Sequence, residues 1–227
     1  MLVRIGVISD VHGDVAALEA VLDRLDRAGV DKIVCAGDVV GNGPESEAAV
    51  ELIRARAIPC VRGNWDAWAV GRDRPGQPRG AVSGAAWDAM GLGLSKASLR
   101  WLAHLSVDWR QLADGVSVCM FHGTLDDPMR GISPETRDIE VKRWLADVPH
   151  EVRILILGHT HVPMCRRLDN RLLCNPGALS RSLPPALAPK GGGTYGVLTL
   201  PACEFEVFAF DGARLDGLAM RREGRLP

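Results

Sequence analysis

Apolar and polar positions fall into short alternating blocks along the first third of the chain. Leu2–Ile8 is a near-continuous apolar run rich in β-branched residues, the pattern of a strand buried on both faces. It stops at the polar cluster Ser9-Asp10-Val11-His12-Gly13-Asp14. Leu18, Val21, Leu22 and Leu25 then recur at helical spacing, with Asp14 placed to cap the helix start and Gly29 to stop it. A second strand is predicted over Lys32–Ala36, ending at Gly37-Asp38. A helix follows from about Ser46 to Arg56, then a third strand from Ile58 to Arg62, ending at Gly63-Asn64. Strand, loop, helix and strand in this order predict parallel βαβ units. Each strand ends in a loop carrying a polar residue, at the sheet edge where ligands bind in open α/β folds.

Beyond this, Arg72–Gly80 is rich in Pro and Gly and reads as an exposed connection. Gly84–Leu105 is a helical region interrupted by Gly91 and Gly93, with Ser95–Leu105 its better half. Ser117–Phe121 is a strand ending at His122-Gly123. A helix near Pro134–Ala146 leads to the strand Arg153–Leu157, which ends at Gly158-His159-Thr160-His161. Met164–Leu168 and Arg171–Cys174 read as a hairpin around Asp169-Asn170, and Tyr195–Leu200 with Glu204–Phe210 as a final strand pair. With no internal repeat or boundary visible, residues 1–227 are expected to form a single domain with a helical insertion at roughly 81–106.

Charge narrows the function classes. The 27 Lys and Arg against 28 Asp and Glu leave a net charge of −1, so no basic surplus suits a long phosphate backbone, and stable nucleic-acid binding is not expected. An anionic substrate must be met locally. The six cysteines are scattered singly, four of them in or beside apolar strands, which predicts buried reduced thiols rather than a disulfide framework. No targeting pattern and no apolar run near ~20 residues is present. The expected compartment is the cytoplasm, without membrane contact; a homo-oligomer is compatible with the pattern.

The chemistry lies at the strand ends. Asp10-x-His12, Gly37-Asp38-x-x-Gly41, Gly63-Asn64, His122-Gly123 and Gly158-His159-Thr160-His161 together supply seven N and O donors at one sheet edge. Carboxylate, amide oxygen and imidazole suit Mn, Fe, Zn or Ni. Seven protein ligands exceed one tetrahedral ion but suit two ions of higher coordination, one carboxylate bridging them. The flanking glycines let the backbone turn and approach closely.

These motifs resemble the calcineurin-like metallophosphoesterase superfamily, whose signature is D-x-H, G-D-x-x-G, G-N-x-D/E, a His and G-H-x-H. The chain reads Asp10-Val11-His12, Gly37-Asp38-Val39-Val40-Gly41, Gly63-Asn64-Trp65-Asp66, Phe121-His122-Gly123 and Gly158-His159-Thr160-His161, and the likeness extends to Asn175-Pro176-Gly177. It looks most similar to the small bacterial and archaeal phosphodiesterases of that group. The resemblance implies an α/β fold, a four-layer αββα sandwich of two mixed sheets flanked by helices, with the last strand pair in the second sheet. It implies a first metal on Asp10, His12 and His161, a second on Asn64, His122 and His159, and Asp38 bridging. A metal-bridging hydroxide would attack phosphorus, making Asp38, Asn64 and His122 catalytic through the metals. Asp66 would orient a ligand or loop without binding metal.

The chain departs from the pattern at Trp65, where many members have a His that assists the leaving oxygen. An indole N–H donates a hydrogen bond but is no general acid, and protonation is typically worth about 10²–10⁴-fold. This favours good leaving groups, as in a phosphodiesterase or nucleotide hydrolase acting on a small phosphate ester. Trp65 would then line the substrate cleft by stacking or by packing the wall. Arg62, Arg130 and Arg181 stand near site loops as candidate phosphate grips, and Asp126 and Asp127 as cleft or surface residues. Gly191-Gly192-Gly193 reads as a loop, not a phosphate cradle, and His104 and His150 as spectators. The alternatives are a dinucleoside polyphosphate hydrolase, a Ser/Thr protein phosphatase, and a non-catalytic scaffold of the same fold.

Overall fold

The computed structural model describes residues 2–41, 45–71, 93–180 and 193–215. Along the chain run β1 (Val3–Ile8), α1 (Val15–Arg27), β2 (Lys32–Cys35), α2 (Ser46–Ala55) and α3 (Asn64–Ala69). Then come α4 (Lys96–His104), β3 (Asp108–Ala113), β4 (Val116–Phe121), α5 (Asp138–Trp144) and β5 (Val152–Ile156). The last four are β6 (Met164–Leu168), β7 (Arg171–Asn175), β8 (Thr194–Leu200) and β9 (Glu204–Ala209). The first sheet has the order β2-β1-β8-β9 and the second β3-β4-β5-β7-β6. Both mix parallel and antiparallel pairs.

Alternation along the strands explains the layers. Ile5 and Val7 of β1, Val34 of β2, Val118 and Met120 of β4, Ile154 and Ile156 of β5 and Leu198 of β8 face one another in the core between the sheets. The neighbouring positions point outward. Ile33, Cys35, Tyr195 and Val197 pack with α1 and α2, and Cys119, Phe121, Leu155 and Leu173 pack with Val141 of α5. A strand covered on both faces reads as an unbroken apolar run for this reason. Helix α1 starts where Asp14 accepts a hydrogen bond from the Ala17 amide at 3.0 Å and ends where Gly29 takes φ +65°. Its Leu25 lies so close to β1 that a Cβ on Gly6 would stand 2.9 Å from it. Each such buried Leu contributes roughly 1.5–3 kcal/mol.

Three expectations change. Ile58–Arg62 is not a full strand: Cys60 bridges Cys35 and Val61 bridges Ser106. The segment crosses from β2 toward the entry of β3 instead of following one partner, so only single residue pairs form. The final strand pair does not join the second sheet. β8 pairs antiparallel with β1, because its Tyr195 and Val197 complete the α1 layer while Leu198 and Leu200 complete the inter-sheet core. The helix near Pro134–Ala146 is the shorter α5, since Ser133 and Thr136 close a turn before it. Residues 72–80 and 81–92, Arg181 and Gly191-Gly192 lie outside the described residues, with the expectations placed on them. The described part of 81–106 contains α4.

Candidate metal centre

Asp10 and His12 follow β1, Asp38 follows β2, Asn64 opens α3, His122 follows β4, and His159 and His161 follow β5. The ends of β1, β2, β4 and β5 and the start of α3 bring all seven side chains together. Five of them, Asp10, His12, Asp38, His159 and His161, take positive φ between 47° and 67°. A residue with a Cβ pays for this conformation, and it persists where surrounding bonds over-determine it. Those bonds are present: the amides of Asp10, His12 and Gly13 donate to the carbonyls of Gly37, Asp38 and Val39 at 2.9–3.0 Å. The β1 and β2 loops are thus laced together under the site.

The donors form two overlapping groups. Ligand atoms of Asp10, His12 and His161 lie within 4.8 Å of one another, as do those of Asp10, Asp38 and His122. The His12 and His161 Nε2 atoms are 3.1 Å apart, and His161 Nε2 is 3.2 Å from Asp10 Oδ1. Asn64 Oδ1 sits 3.1 Å from His122 Nε2 and 2.9 Å from His159 Nδ1. Asp38 Oδ2 stands between the groups, 3.3 Å from His122 Nε2 and 3.9 Å from His12 Nε2. Its other oxygen accepts the Trp65 amide at 2.8 Å, which leaves Oδ2 facing the cluster.

His122 sharpens the test for a cation. Its Nδ1 lies 2.7 Å from the Ala36 carbonyl and can only donate there. In the neutral ring, Nε2 is then a lone pair, and it faces the amide oxygen of Asn64 and the carboxylate of Asp38. With the ring neutral, as a metal ligand must be, three acceptors converge with no proton among them. His12 Nδ1 is a buried side-chain atom without a hydrogen-bond partner among the described residues, and Asp10 Oδ1 has only the 3.2 Å approach of His161 Nε2, outside hydrogen-bond geometry, a costly arrangement for polar groups. The residues present fit divalent cations, which would satisfy these lone pairs at once.

Electrostatics without a cation show the same demand. Burial works against the His122 imidazolium, yet Asp38 and Asp10 push its pKa up to about 10. Burial also opposes the Asp10 carboxylate, but His161, His122 and His12 hold it below the usual range. His12 and His159 are lowered, chiefly by burial. His161 is raised by Asp10 against its own burial.

Asp66 lies under the β2 loop, in contact with its backbone. Fully buried, its carboxylate accepts the amides of Gly63 and Asp38 at 2.9 Å, Val39 at 3.0 Å and Val40 at 3.2 Å. Burial and the nearby Asp38 charge push its pKa up to about 7, while the Gly63 and Val40 amides pull the other way. Gly63 is required here because a Cβ would overlap the Asp38 carboxylate. Trp65 is half-buried at the rim, 5.9 Å from the His12 ring and edge-on to it, and 5.4 Å from Trp68.

The arginines are less available than their positions suggest. Arg62 donates to the Leu105 carbonyl at 3.0 Å. Arg130 is paired with Asp126 at 2.6 Å and lies over the Trp144 ring. Its loop still borders the site, since a Cβ on Gly131 would meet His159 at 3.2 Å. Asp127 accepts the Met129 amide within that loop. His104 bonds the Arg100 carbonyl on α4, and His150 precedes β5 at the opposite sheet edge. Asn175, quoted above only as part of a motif, turns out to bond the Gly158–His161 loop. No apolar or periodic signal marks it, so its role is invisible in sequence.

No helix among the described residues is long and apolar enough to cross a membrane. The chain matches the calcineurin-like phosphoesterase superfamily domain over residues 3–201. It is 29% identical to an uncharacterized protein of Methanocaldococcus jannaschii over 177 residues, 77% of this chain and 69% of that protein. Phosphodiesterase YfcE of Escherichia coli is 25% identical over 205 residues, 84% of each chain. The crystal structure of a metallophosphoesterase from Sphaerobacter thermophilus superposes with a TM-score of 0.65 at 26% identity, covering 94% of this chain and 88% of that one. A match that runs through both sheets, from β1 to the end of β8, makes this chain a member of the calcineurin-like phosphoesterase superfamily.

Proposed function

We propose that the protein is a phosphodiesterase or nucleotide hydrolase that uses two divalent metal ions, manganese among the candidates. Asp10, His12 and His161 would hold one ion and Asn64, His122 and His159 the other, with Asp38 placed between the two groups to serve both. The observation that carries this reading is the convergence of seven metal-type side chains from five chain segments, five in two compact groups and Asn64 and His159 joined to them through His122, with buried polar atoms left unsatisfied. Two divalent ions held there would supply Lewis acidity, lowering the pKa of water and offsetting charge on the phosphoryl oxygens.

The protein's own contribution is orientation. The Ala36 carbonyl fixes the His122 tautomer so that Nε2 faces inward. The Trp65 amide and the Asp66 carboxylate hold Asp38 in place from two sides. Trp65 stands beside His12, and its indole N–H is too weak an acid to protonate a departing oxygen. Esters with acidic leaving groups therefore suit the site, and a Ser or Thr phosphate does not. The full donor set stands against a non-catalytic scaffold. A dinucleoside polyphosphate is the second reading, favoured by the adjacent Trp65 and Trp68 rings, on which a base would stack. The free cysteines fit a reducing compartment, and we place the enzyme in the cytoplasm.

The test is a panel of a nitrophenyl diester, a nitrophenyl monoester, diadenosine polyphosphate, cyclic nucleotides and a phosphopeptide, each with Mn²⁺, Ni²⁺ or chelator. The diester is expected to turn over with metal and the phosphopeptide not. Phosphopeptide hydrolysis outpacing the diester would overturn the leaving-group argument.

A further inference from the structure

We propose that Asn175 is a positioning residue for the metal centre, setting the shape of the loop that carries His159 and His161; the inference rests on the metal-dependent reading above. Asn175 ends β7 and is fully buried. Its Nδ2 donates to the Gly158 carbonyl at 2.8 Å and to Thr160 Oγ1 at 3.2 Å. Its Oδ1 accepts the Gly177 amide at 2.8 Å. Both amide hydrogens and the amide oxygen are used, and each faces a partner of the opposite kind.

Those bonds fall where the loop needs them. His159 and His161 have φ of 67° and 59°, and such residues relax toward ordinary conformations unless neighbours hold them. Asn175 grips the residue before His159 and the residue between the two histidines. The chain that follows completes the clamp: the amides of Leu179 and Ser180 donate to the carbonyls of Ser9 and Asp10 at 2.9 and 3.1 Å. One short segment, 175–180, thus ties the His159–His161 loop to the Asp10–His12 loop. Asn175 reaches no cluster lone pair itself and acts through the loop. The requirement is for an amide. An aspartate would keep the bond from Gly177 but set an oxygen against the Gly158 carbonyl, with no hydrogen to share.

The test is calorimetric binding of Mn²⁺ alone to chelator-stripped protein, comparing wild type, Asn175→Asp and Leu173→Ala. Leu173 lies on the same strand, fully buried in the core beside α5, and its truncation controls for general destabilisation. Asn175→Asp is expected to weaken Mn²⁺ binding by about 10–100-fold, the usual cost of losing a group that orients ligands. Leu173→Ala, measured well below its unfolding temperature, is expected to bind as wild type does. Wild-type affinity in Asn175→Asp, or an equal loss in Leu173→Ala, would overturn the positioning role and leave the metal reading intact. Wild-type protein that binds no Mn²⁺ would overturn both.

Discussion

A buried carboxylate that accepts four backbone amides works as a brace, and Asp66 is that brace for the β2 loop. Asp66→Asn replaces one acceptor oxygen with an N–H₂ group aimed at N–H donors. We expect a loss of roughly 1–3 kcal/mol in urea unfolding, the cost of leaving buried donors unpaired, together with weaker metal-dependent turnover. His122 gives the metal-free protein a pH signature. Its folded pKa is raised to about 10 from an ordinary 6.5, so the charged ring stabilises the fold below pH 6.5. That contribution is lost as pH rises toward 10. His12 and His159 are lowered by burial and weaken the fold in the opposite direction, as pH falls below about 6.5. Thermal melts of stripped protein should therefore peak near neutrality and fall on the alkaline side, and a flat alkaline limb would contradict the packing of His122 against Asp38. The seven donors were legible at this scale because each interrupts or follows an apolar run. Asn175 and the Ala36 carbonyl were not, since a hydrogen bond from a strand end to a distant loop leaves no local pattern.

Element by element, burial governs what could be read. β1, β4, β5 and β8 are covered on both faces and stand out as apolar runs, and Asp14 and Gly29 mark the ends of α1. β3 was missed. It is an edge strand with mixed residues and an exposed Leu112, so neither alternation nor a continuous run announces it. The sheet that receives β8 and β9 depends on pairing across nearly the whole chain, which no local pattern encodes. Close approach between elements gives the sharpest prediction here. α3 enters the site through Gly63, where a Cβ would overlap Asp38. Gly63→Ala should displace Asp38 or the start of α3, lowering stability by about 1–3 kcal/mol as overpacking does and abolishing stoichiometric Mn²⁺ binding. Elemental analysis after gel filtration checks this; full metal content in the variant would show that the approach is looser than described.

At the scale of the whole molecule, the centre joins both sheets: Asp10, His12 and Asp38 come from the first, His122, His159 and His161 from the second. A ligand that binds only the folded state stabilises it by RT ln(1 + [L]/Kd), about 2.7 kcal/mol at a hundredfold excess over Kd. Mn²⁺ should thus raise the melting temperature of the whole domain, and chelator should reverse the gain. Differential scanning calorimetry would show a single shifted transition if the two sheets unfold together. The central claim is a pair of cations bridged by Asp38, and the most direct measurement is a Mn²⁺ titration of stripped protein followed by nitrophenyl diester turnover. The account predicts activity that rises to a break at about two ions per chain and is absent in Asp38→Asn. Equal turnover in chelator, or an Asp38→Asn protein as active as wild type, would contradict it.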